Sequence, residues 1–216
     1  MITVKRVNLN EEATVEQINQ LLDGMESYKI ETLNWPEEFG YLPKVSFSLC
    51  HNGRTMFLRY KVTEEYTGAQ IEVDNDKVFR DSCVEFFIGF NDGTYYNIES
   101  SCIGRILMKY HPDIESFEFV DAETLKGIKR MPSLGTETFA ERIGENSWQI
   151  ILAIPVDVFI GHKFEDWAQM NEKGARVNLY KCGDGLSVPH YVSLYPIDVP
   201  APSFHQPKFF GEVVFE

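Results

Sequence analysis

The sequence is poor in cysteine, in basic residues and in long apolar segments. Its four cysteines include no CxxC pair, which argues against a disulfide scaffold and predicts buried free thiols at Cys50, Cys83, Cys102 and Cys182. No apolar segment reaches the length that a membrane-spanning helix requires. The H-E-x-x-H pattern of zinc proteases, the G-x-S-x-G nucleophile elbow and a phosphate-binding loop are also missing. These absences argue against a membrane protein and against several common enzyme classes.

Acidic residues outnumber basic ones. The 216 residues include 33 Asp and Glu against 20 Lys and Arg, so the formal net charge is −13, and the isoelectric point is about 4.8. Because no basic run is present, we expect neither nucleic acid nor an anionic membrane surface as a partner. The N-terminus has no apolar signal segment, which predicts a cytoplasmic protein; a chain whose signal had been cleaved would instead be periplasmic or secreted.

The residues that are present indicate one domain rich in β-strands. Hydrophobic residues make up 44% of the chain, enough for a single domain over residues 1–216. Thr14 and Gln17 match a capping box before an apolar helical pattern, which predicts a short N-terminal helix. Short runs of Val, Ile, Phe and Tyr follow, with turn signals at 51–53 and 91–93. Since βαβ alternation is missing, the pattern predicts an all-β fold, an antiparallel β-sandwich.

Prolines are concentrated between residues 185 and 211. We expect this segment to be an irregular wrap over one sheet, because proline cannot donate a ladder hydrogen bond. His190 and His205 lie in it and are expected to tie it to the sandwich through hydrogen bonds. Lys181 precedes it on a predicted strand, where its side chain would reach a ligand or face solvent.

The hairpin around residues 91–93 can adopt two registers, and they differ in which side chains share a face. A two-residue turn mixes polar and apolar groups on both faces. A three-residue turn places Glu85 opposite Glu99 and leaves one face almost entirely apolar. Because a one-residue slip moves every side chain to the other face, we predict the register that gives the apolar core face. The second face then collects Cys83, Glu85, Phe87, Tyr95, Asn97, Glu99 and Ser101.

Two directly opposed carboxylates on neighbouring strands repel each other. Solvent on an exposed face would screen them, and a cation such as Arg59, Arg80 or a metal ion would neutralise them. A ligand rich in hydroxyl groups would also offset the repulsion, because carboxylates beside an aromatic ring are typical of sugar sites. Read as catalytic groups, Glu85 and Glu99 would instead be the acid pair of a glycoside hydrolase.

Several motifs in order resemble carbohydrate-binding module family 9-like proteins. They are "DSCVEFFI", "YYNIESSCIG", "NLYKCGD", "PHYVS" and "FHQPKFFGEVVF", which together span most of the chain. The resemblance is closest to the stand-alone branch often labelled xylanase-associated. It implies a jelly-roll β-sandwich that binds the end of a glycan between two tryptophans, with structural calcium in some members.

The resemblance assigns ligand-binding roles position by position. Its D-S-x-V-E strand implies Asp81 and Glu85, its Y-N strand Asn97, and its N-x-Y strand Asn178 and Tyr180. These join Glu99, which the register places beside Glu85. The two family tryptophans are replaced by Val78 and Leu194, so Phe79, Tyr191 and Tyr195 are the candidates to supply an aromatic face.

The function expected from these observations is non-catalytic binding of an oligosaccharide or a polysaccharide end. The resemblance favours a plant-type glycan or a xylan-derived oligosaccharide, linked to polysaccharide breakdown. A glycoside hydrolase, or a protein-interaction module that has lost sugar binding, is the alternative. The oxygen-rich loop at 72–81 makes calcium the one candidate cofactor, with Asp74 and Asp76 as candidate ligands.

Overall fold

The computed structural model describes residues 1–10 and 12–216. These described residues form two α-helices, α1 (Val15–Asp23) and α2 (Ala122–Leu125), and fourteen strands. The strands are β1 (Ile2–Arg6), β2 (Tyr28–Ile30), β3 (Thr32–Leu33), β4 (Lys44–His51), β5 (Thr55–Ala69), β6 (Cys83–Gly89), β7 (Tyr95–Ser101), β8 (Ile106–His111), β9 (Glu118–Phe119), β10 (Lys129–Pro132), β11 (Phe139–Pro155), β12 (Arg176–Cys182), β13 (Tyr191–Ser193) and β14 (Gly211–Phe215). Short 3-10 turns occur at Val78–Arg80, Val156–Val158, Trp167–Lys173 and Pro207–Phe209.

The strands form a β-sandwich whose two halves are joined along one edge. The hydrogen-bonded order is β10-β11-β5-β4-β1-β14-β12-β6-β7-β8-β9. β1 pairs in parallel with both β4 and β14, whereas the other ladders are antiparallel. The predicted all-β sandwich is therefore confirmed, and β1 is the exception to its antiparallel pairing. Because β1 joins the two halves, the sheets wrap around one central core.

The central core lies between the two halves and is built from the inward-facing residues of each strand. Phe86 and Ile88 of β6, Tyr96 and Ile98 of β7, and Leu58 of β5 are among its members. Helix α1 begins with the predicted capping box at Thr14 and Gln17 and packs its buried side chains against the outside of the β4/β5/β11 half. No helix among the described residues is long and apolar enough to span a membrane. The four cysteines are buried and free, as predicted.

The proline-rich segment covers the outer face of the β12/β6/β7 half. It is irregular except for β13, which pairs with β12, and one 3-10 turn. His190 ties the segment to the sandwich as predicted, since its ring nitrogens lie 3.0 Å from the Val188 carbonyl oxygen and 2.7 Å from Lys181 Nζ. The expectation for Lys181 is wrong, because β12 points this side chain into the core, where it pairs with Glu64 at 2.8 Å.

Candidate functional site

The hairpin formed by β6 and β7 has the predicted register. Glu85 pairs with Glu99, and Phe90 pairs with Thr94 across a three-residue turn in which Gly93 has a φ of 91°. The apolar face of the hairpin joins the central core, as predicted. The polar face points outward from the sandwich, and β12 extends it with Asn178, Tyr180 and Cys182.

The polar face is not exposed to solvent. Only 3% of Glu85 and 4% of Glu99 is accessible, so solvent screening of this carboxylate pair is wrong as an explanation. The physical reason is the proline-rich segment, which packs Ile197, Phe204 and Phe210 over the face and builds a second apolar cluster there. The repulsion between the carboxylates must therefore be offset by protonation, by a nearby cation or by a ligand.

A cavity of about 260 Å³ lies between this face and the covering segment, and we call it the Glu85–Glu99 cavity. Both carboxylates line it, together with one lysine, one further acid, one thiol and several aromatic rings. The lining residues are Phe79, Glu85, Glu99, Lys109, Cys182, Asp184, Tyr191, Pro202, Ser203, Phe204 and His205. Aromatic rings together with a few convergent polar groups are typical of a small-molecule site.

Burial gives the carboxylates of the cavity unusual protonation behaviour. It raises the pKa of Glu99 to about 7, although Lys109 and a hydrogen bond from Asn97 oppose the shift. Burial and the neighbouring Glu99 raise the pKa of Glu85 well above its ordinary range. Burial also raises the pKa of Asp184 to about 6. Near neutral pH the pair therefore holds a proton, so the cavity offers a hydrogen-bond donor as well as acceptors.

The hydrogen bonds of the pair occupy one oxygen of each carboxylate among the described residues. Cys182 Sγ donates to Glu85 Oε1 at 3.0 Å, and Asn97 Nδ2 donates to Glu99 Oε1 at 2.9 Å. Asn97 Oδ1 in turn lies 2.8 Å from Nε2 of His111. Glu99 Oε2 is buried and has no hydrogen-bond partner among the described residues. An acceptor in this state costs free energy until a donor reaches it.

Lys109 is the cation that sequence reasoning did not identify. It lies on β8, opposite Asn97 of β7, and its charge opposes the rise in the pKa of Glu99 that burial causes. Of the two arginines proposed for this role, Arg59 belongs to the other half of the sandwich, where it pairs with Asp23 at 2.8 Å. Arg80 is exposed and acts on Asp184 instead. The register of the hairpin from β7 to β8 was the signal that could have placed Lys109 on this face.

The other site residues that the resemblance assigned do not line the cavity. Asp81 accepts hydrogen bonds from the backbone N–H groups of Gln70 and Ile71, at 2.9 and 3.0 Å. Tyr180 is fully buried; its ring stacks on Phe204 at 4.2 Å and its hydroxyl donates to the Phe204 carbonyl oxygen.

Asn178 and Tyr195 fasten the covering segment to β12. Asn178 Oδ1 accepts from the Tyr195 backbone N–H at 3.0 Å, and Asn178 Nδ2 donates to the Tyr195 carbonyl oxygen at 3.2 Å. The Tyr195 ring lies against Gly211, where a Cβ atom would come within 2.3 Å of it. Of the three candidates for an aromatic face, Phe79 and Tyr191 therefore line the cavity and Tyr195 does not.

The structure also shows which side chains could hold a metal ion. Both carboxylate oxygens of Asp74 accept from Arg130, at 2.7 and 2.8 Å, and Asp76 caps the backbone N–H of Lys77. Asp74 thus already neutralises a cation, and calcium at this loop would have to displace Arg130. A separate group, Cys83, Glu85 and Cys182, has ligand atoms within 4.8 Å of one another beside the cavity.

A larger groove of about 880 Å³ lies on the other half of the sandwich, bordered by residues of β4, β5 and β11. Its lining includes Leu42, Pro43, Lys61 and Thr63 but no opposed carboxylates. We place the candidate site in the smaller Glu85–Glu99 cavity, because its lining combines aromatic rings with a buried carboxylate, one oxygen of which has no partner among the described residues.

Comparison with known proteins identifies the family. The sequence profile of carbohydrate-binding family 9 matches residues 16–215. The structure is similar to that of a candidate carbohydrate-binding protein from Bacteroides uniformis ATCC 8492, with 39% sequence identity, a TM-score of 0.92, and coverage of 100% of this chain and 98% of that one.

More distant structures share the fold. A carbohydrate-binding module of family 9 from Caldicellulosiruptor kristjanssonii in complex with glucose has 11% identity and a TM-score of 0.54, over 100% of this chain and 95% of that one. The same organism's family 9 module in complex with cellotriose has 9% identity and a TM-score of 0.55, over 100% and 93%. None of the curated proteins matches this chain. By its profile match and its 39% identical relative, this chain belongs to carbohydrate-binding family 9.

Proposed function

We propose that this protein binds the terminal sugar unit of a neutral oligosaccharide in the Glu85–Glu99 cavity, without cleaving it. The observation that carries the proposal is Glu99 Oε2, a buried oxygen of a residue that lines the cavity, which lacks a hydrogen-bond partner among the described residues. A sugar hydroxyl can supply the missing donor, and the gain is larger in a cavity from which water is largely excluded.

The remaining groups of the cavity suit the same ligand. Each sugar hydroxyl can both donate and accept a hydrogen bond. The pair Glu85 and Glu99 shares a proton, so it can accept from one hydroxyl and donate to another. Lys109 supplies a further donor, while Phe79 and Tyr191 offer apolar surface to the C–H faces of a sugar ring. His111 and His205 are neutral near pH 7, since burial lowers the pKa of each to about 4. The cavity therefore carries little net positive charge, which disfavours an anionic ligand.

The choice of probe follows from the family and from the sequence. Glucose and cellotriose are the sugars bound in two family 9 structures of the same fold. Xylose and xylotriose test the expectation of a xylan-derived ligand. A preference for the xylose pair would support a role in the use of plant polysaccharides.

The test is isothermal titration calorimetry of the parent protein and of Glu85→Gln and Glu99→Gln with these four sugars. We expect binding by the parent and a loss of at least about tenfold in affinity in Glu99→Gln, because the replacement exchanges a charge-assisted acceptor for an amide. Glu212→Gln, an exposed change on β14, should bind like the parent. Thermal unfolding of each variant checks that the fold is retained.

Two results would overturn the proposal. The first is a parent protein that binds no sugar of a broad panel; the second is an unchanged affinity in both Glu85→Gln and Glu99→Gln. Release of the aryl group from aryl glycosides, abolished by either Gln variant, would instead assign hydrolysis to the pair. We expect no such release.

A further inference from the structure

We propose that Phe117 and Phe119 form an aromatic platform at the mouth of the Glu85–Glu99 cavity, which stacks on the sugar units that follow the one held inside. The ligand is then an oligosaccharide of two or more units rather than a monosaccharide. This inference rests on the proposed function and names the part of the ligand that lies outside the cavity.

The exposure of these two rings is the first observation. Phe117 is 50% and Phe119 is 48% accessible, and among the described residues no other aromatic side chain is exposed. The chain has 16 phenylalanines. Two neighbouring rings that remain exposed to water therefore depart from the general pattern, in which aromatic rings are covered. Exposed apolar groups that cluster in one place commonly mark a binding surface.

The position of the rings is the second observation. Phe119 on β9 pairs with Lys109 on β8, and the side chain of Lys109 lines the cavity. Lys109 Nζ lies 4.2 Å from the centroid of Phe117 and 5.2 Å from that of Phe119. His111 makes a second connection, because its ring lies 5.8 Å from Phe117 and 5.2 Å from His205 of the cavity. The two rings thus adjoin the cavity lining through Lys109.

The platform is held in place before any ligand binds. The two rings meet edge to face, with centroids 5.5 Å apart. The loop that carries them is fixed by Asp113, whose Oδ1 accepts from the backbone N–H groups of Glu115 and Ser116, both at 2.8 Å. A preformed surface saves the ordering cost that a flexible loop would add to binding.

The chemistry around the rings selects a sugar chain as the occupant. A phenylalanine face has no hydrogen-bonding group and complements the C–H face of a sugar ring, while the Lys109 ammonium group can donate to the hydroxyl groups at its edge. Asp113, Glu115 and Glu118 flank the rings and would repel an anionic membrane or an acidic partner. Because the adjoining cavity is the candidate site for a terminal sugar, the following units of that oligosaccharide would lie next to the two rings.

The experiment compares short and long sugars on single and double variants. Parent, Phe117→Ala, Phe119→Ala and the double variant are titrated with glucose and cellotriose, and with xylose and xylotriose. We expect the parent to bind the trisaccharide of its preferred pair more tightly than the monosaccharide. Each substitution should lower the affinity for the trisaccharide by about three- to tenfold and leave the affinity for the monosaccharide unchanged. Ile143→Ala, a change at a still more exposed apolar residue on β11, should leave both affinities unchanged.

The outcomes separate this inference from the proposed function. Equal affinity for both sugar lengths, with no effect of the substitutions, would overturn the platform and leave binding in the cavity intact. Loss of monosaccharide affinity in Phe117→Ala would also overturn it, because the ring would then serve the cavity itself. A change in oligomeric state with unaltered sugar binding would assign the rings to a protein interface instead. A parent that binds no sugar would overturn the proposed function, and the platform with it.

Discussion

Glu85 and Glu99 lie on neighbouring strands in a region that the covering segment shields from water. Burial therefore determines their behaviour more than their direct interaction does, and it is the largest cause of the raised pKa of each. Lys109 and the Asn97 hydrogen bond oppose the shift for Glu99, whose pKa is about 7, whereas the neighbouring Glu99 adds to the rise in the pKa of Glu85. The pair as a whole therefore holds a proton near neutral pH.

The raised pKa of Glu99 predicts a pH dependence of stability. Folding raises the pKa of Glu99 from its ordinary value of 4.5 to about 7, so the folded state binds more protons than the unfolded chain within that window. The free energy of unfolding must then decrease as the pH rises through the window. Between pH 5 and pH 8 we expect the free energy of unfolding of the parent to decrease by roughly 2–3 kcal/mol more than that of Glu99→Gln.

Urea denaturation at several pH values measures this difference. Glu212→Gln should retain the slope of the parent, because its side chain is exposed. Identical slopes for the parent and Glu99→Gln would show that the carboxyl of Glu99 titrates as an ordinary surface group, and that the face is more hydrated than its packing indicates.

At the scale of elements, the covering segment gives the site its shape, and Tyr180 is one of the residues through which β12 holds that segment. The Tyr180 ring stacks on Phe204, and its hydroxyl donates to the Phe204 carbonyl oxygen at 3.2 Å. On the other side of the segment, Trp35 Nε1 donates to the Val199 carbonyl oxygen at 2.8 Å. The backbone of the segment is therefore held at Phe204 by Tyr180 and earlier, at Val199, by Trp35.

Substitutions at Tyr180 should separate the stack from the hydrogen bond. Tyr180→Phe keeps the ring and loses the hydroxyl, so we expect a loss of roughly 1 kcal/mol in the free energy of unfolding. Tyr180→Leu also removes the stack and should cost roughly 1 kcal/mol more. Hydrogen exchange at Gln206, whose backbone N–H donates to the Phe204 carbonyl oxygen, should become faster in that order. Equal exchange in all three proteins would mean that other contacts hold the segment.

The elements also show why the sequence predicted some parts of the site and not others. The pairing of Glu85 with Glu99 depends on one short turn and on local alternation, so it could be read from the sequence. Lys109 and Phe204 reach the cavity through later turns and through the irregular segment, whose path no periodic pattern specifies. Asn178 and Tyr180 lie on the predicted face, yet their side chains fasten the covering segment, a role that depends on contacts distant in the chain.

The fold was predicted for a similar reason, and β1 was missed for the opposite one. Alternating apolar residues and turn signals identify antiparallel hairpins, because both strands of a hairpin are close in sequence. β1 pairs with Cys50 and His51 of β4, and with 213–215 of β14 at the other end of the chain. Five residues carry too little pattern to choose partners at such distances.

At the scale of the whole molecule, one buried ion pair connects the two halves of the sandwich. Lys181 of β12 and Glu64 of β5 lie 2.8 Å apart with no exposed side-chain surface. Trp148 Nε1 donates to Glu64 Oε1 at 2.7 Å, and His190 Nε2 lies 2.7 Å from Lys181 Nζ. The pair therefore links both sheets to the covering segment, and the wall of the cavity depends on it indirectly.

Removal of one partner should be far more harmful than removal of both. In Lys181→Met the Glu64 carboxylate is left in the core without its cation, which should reduce the free energy of unfolding by roughly 3–5 kcal/mol. The double variant Lys181→Met with Glu64→Gln leaves no unpaired charge and keeps an acceptor for Trp148, so it should recover a large part of that loss. Guanidinium denaturation of both single variants and the double variant gives the coupling energy between the two positions. Additive losses would mean that the two charges do not stabilise each other, and that packing alone holds the halves of the sandwich together.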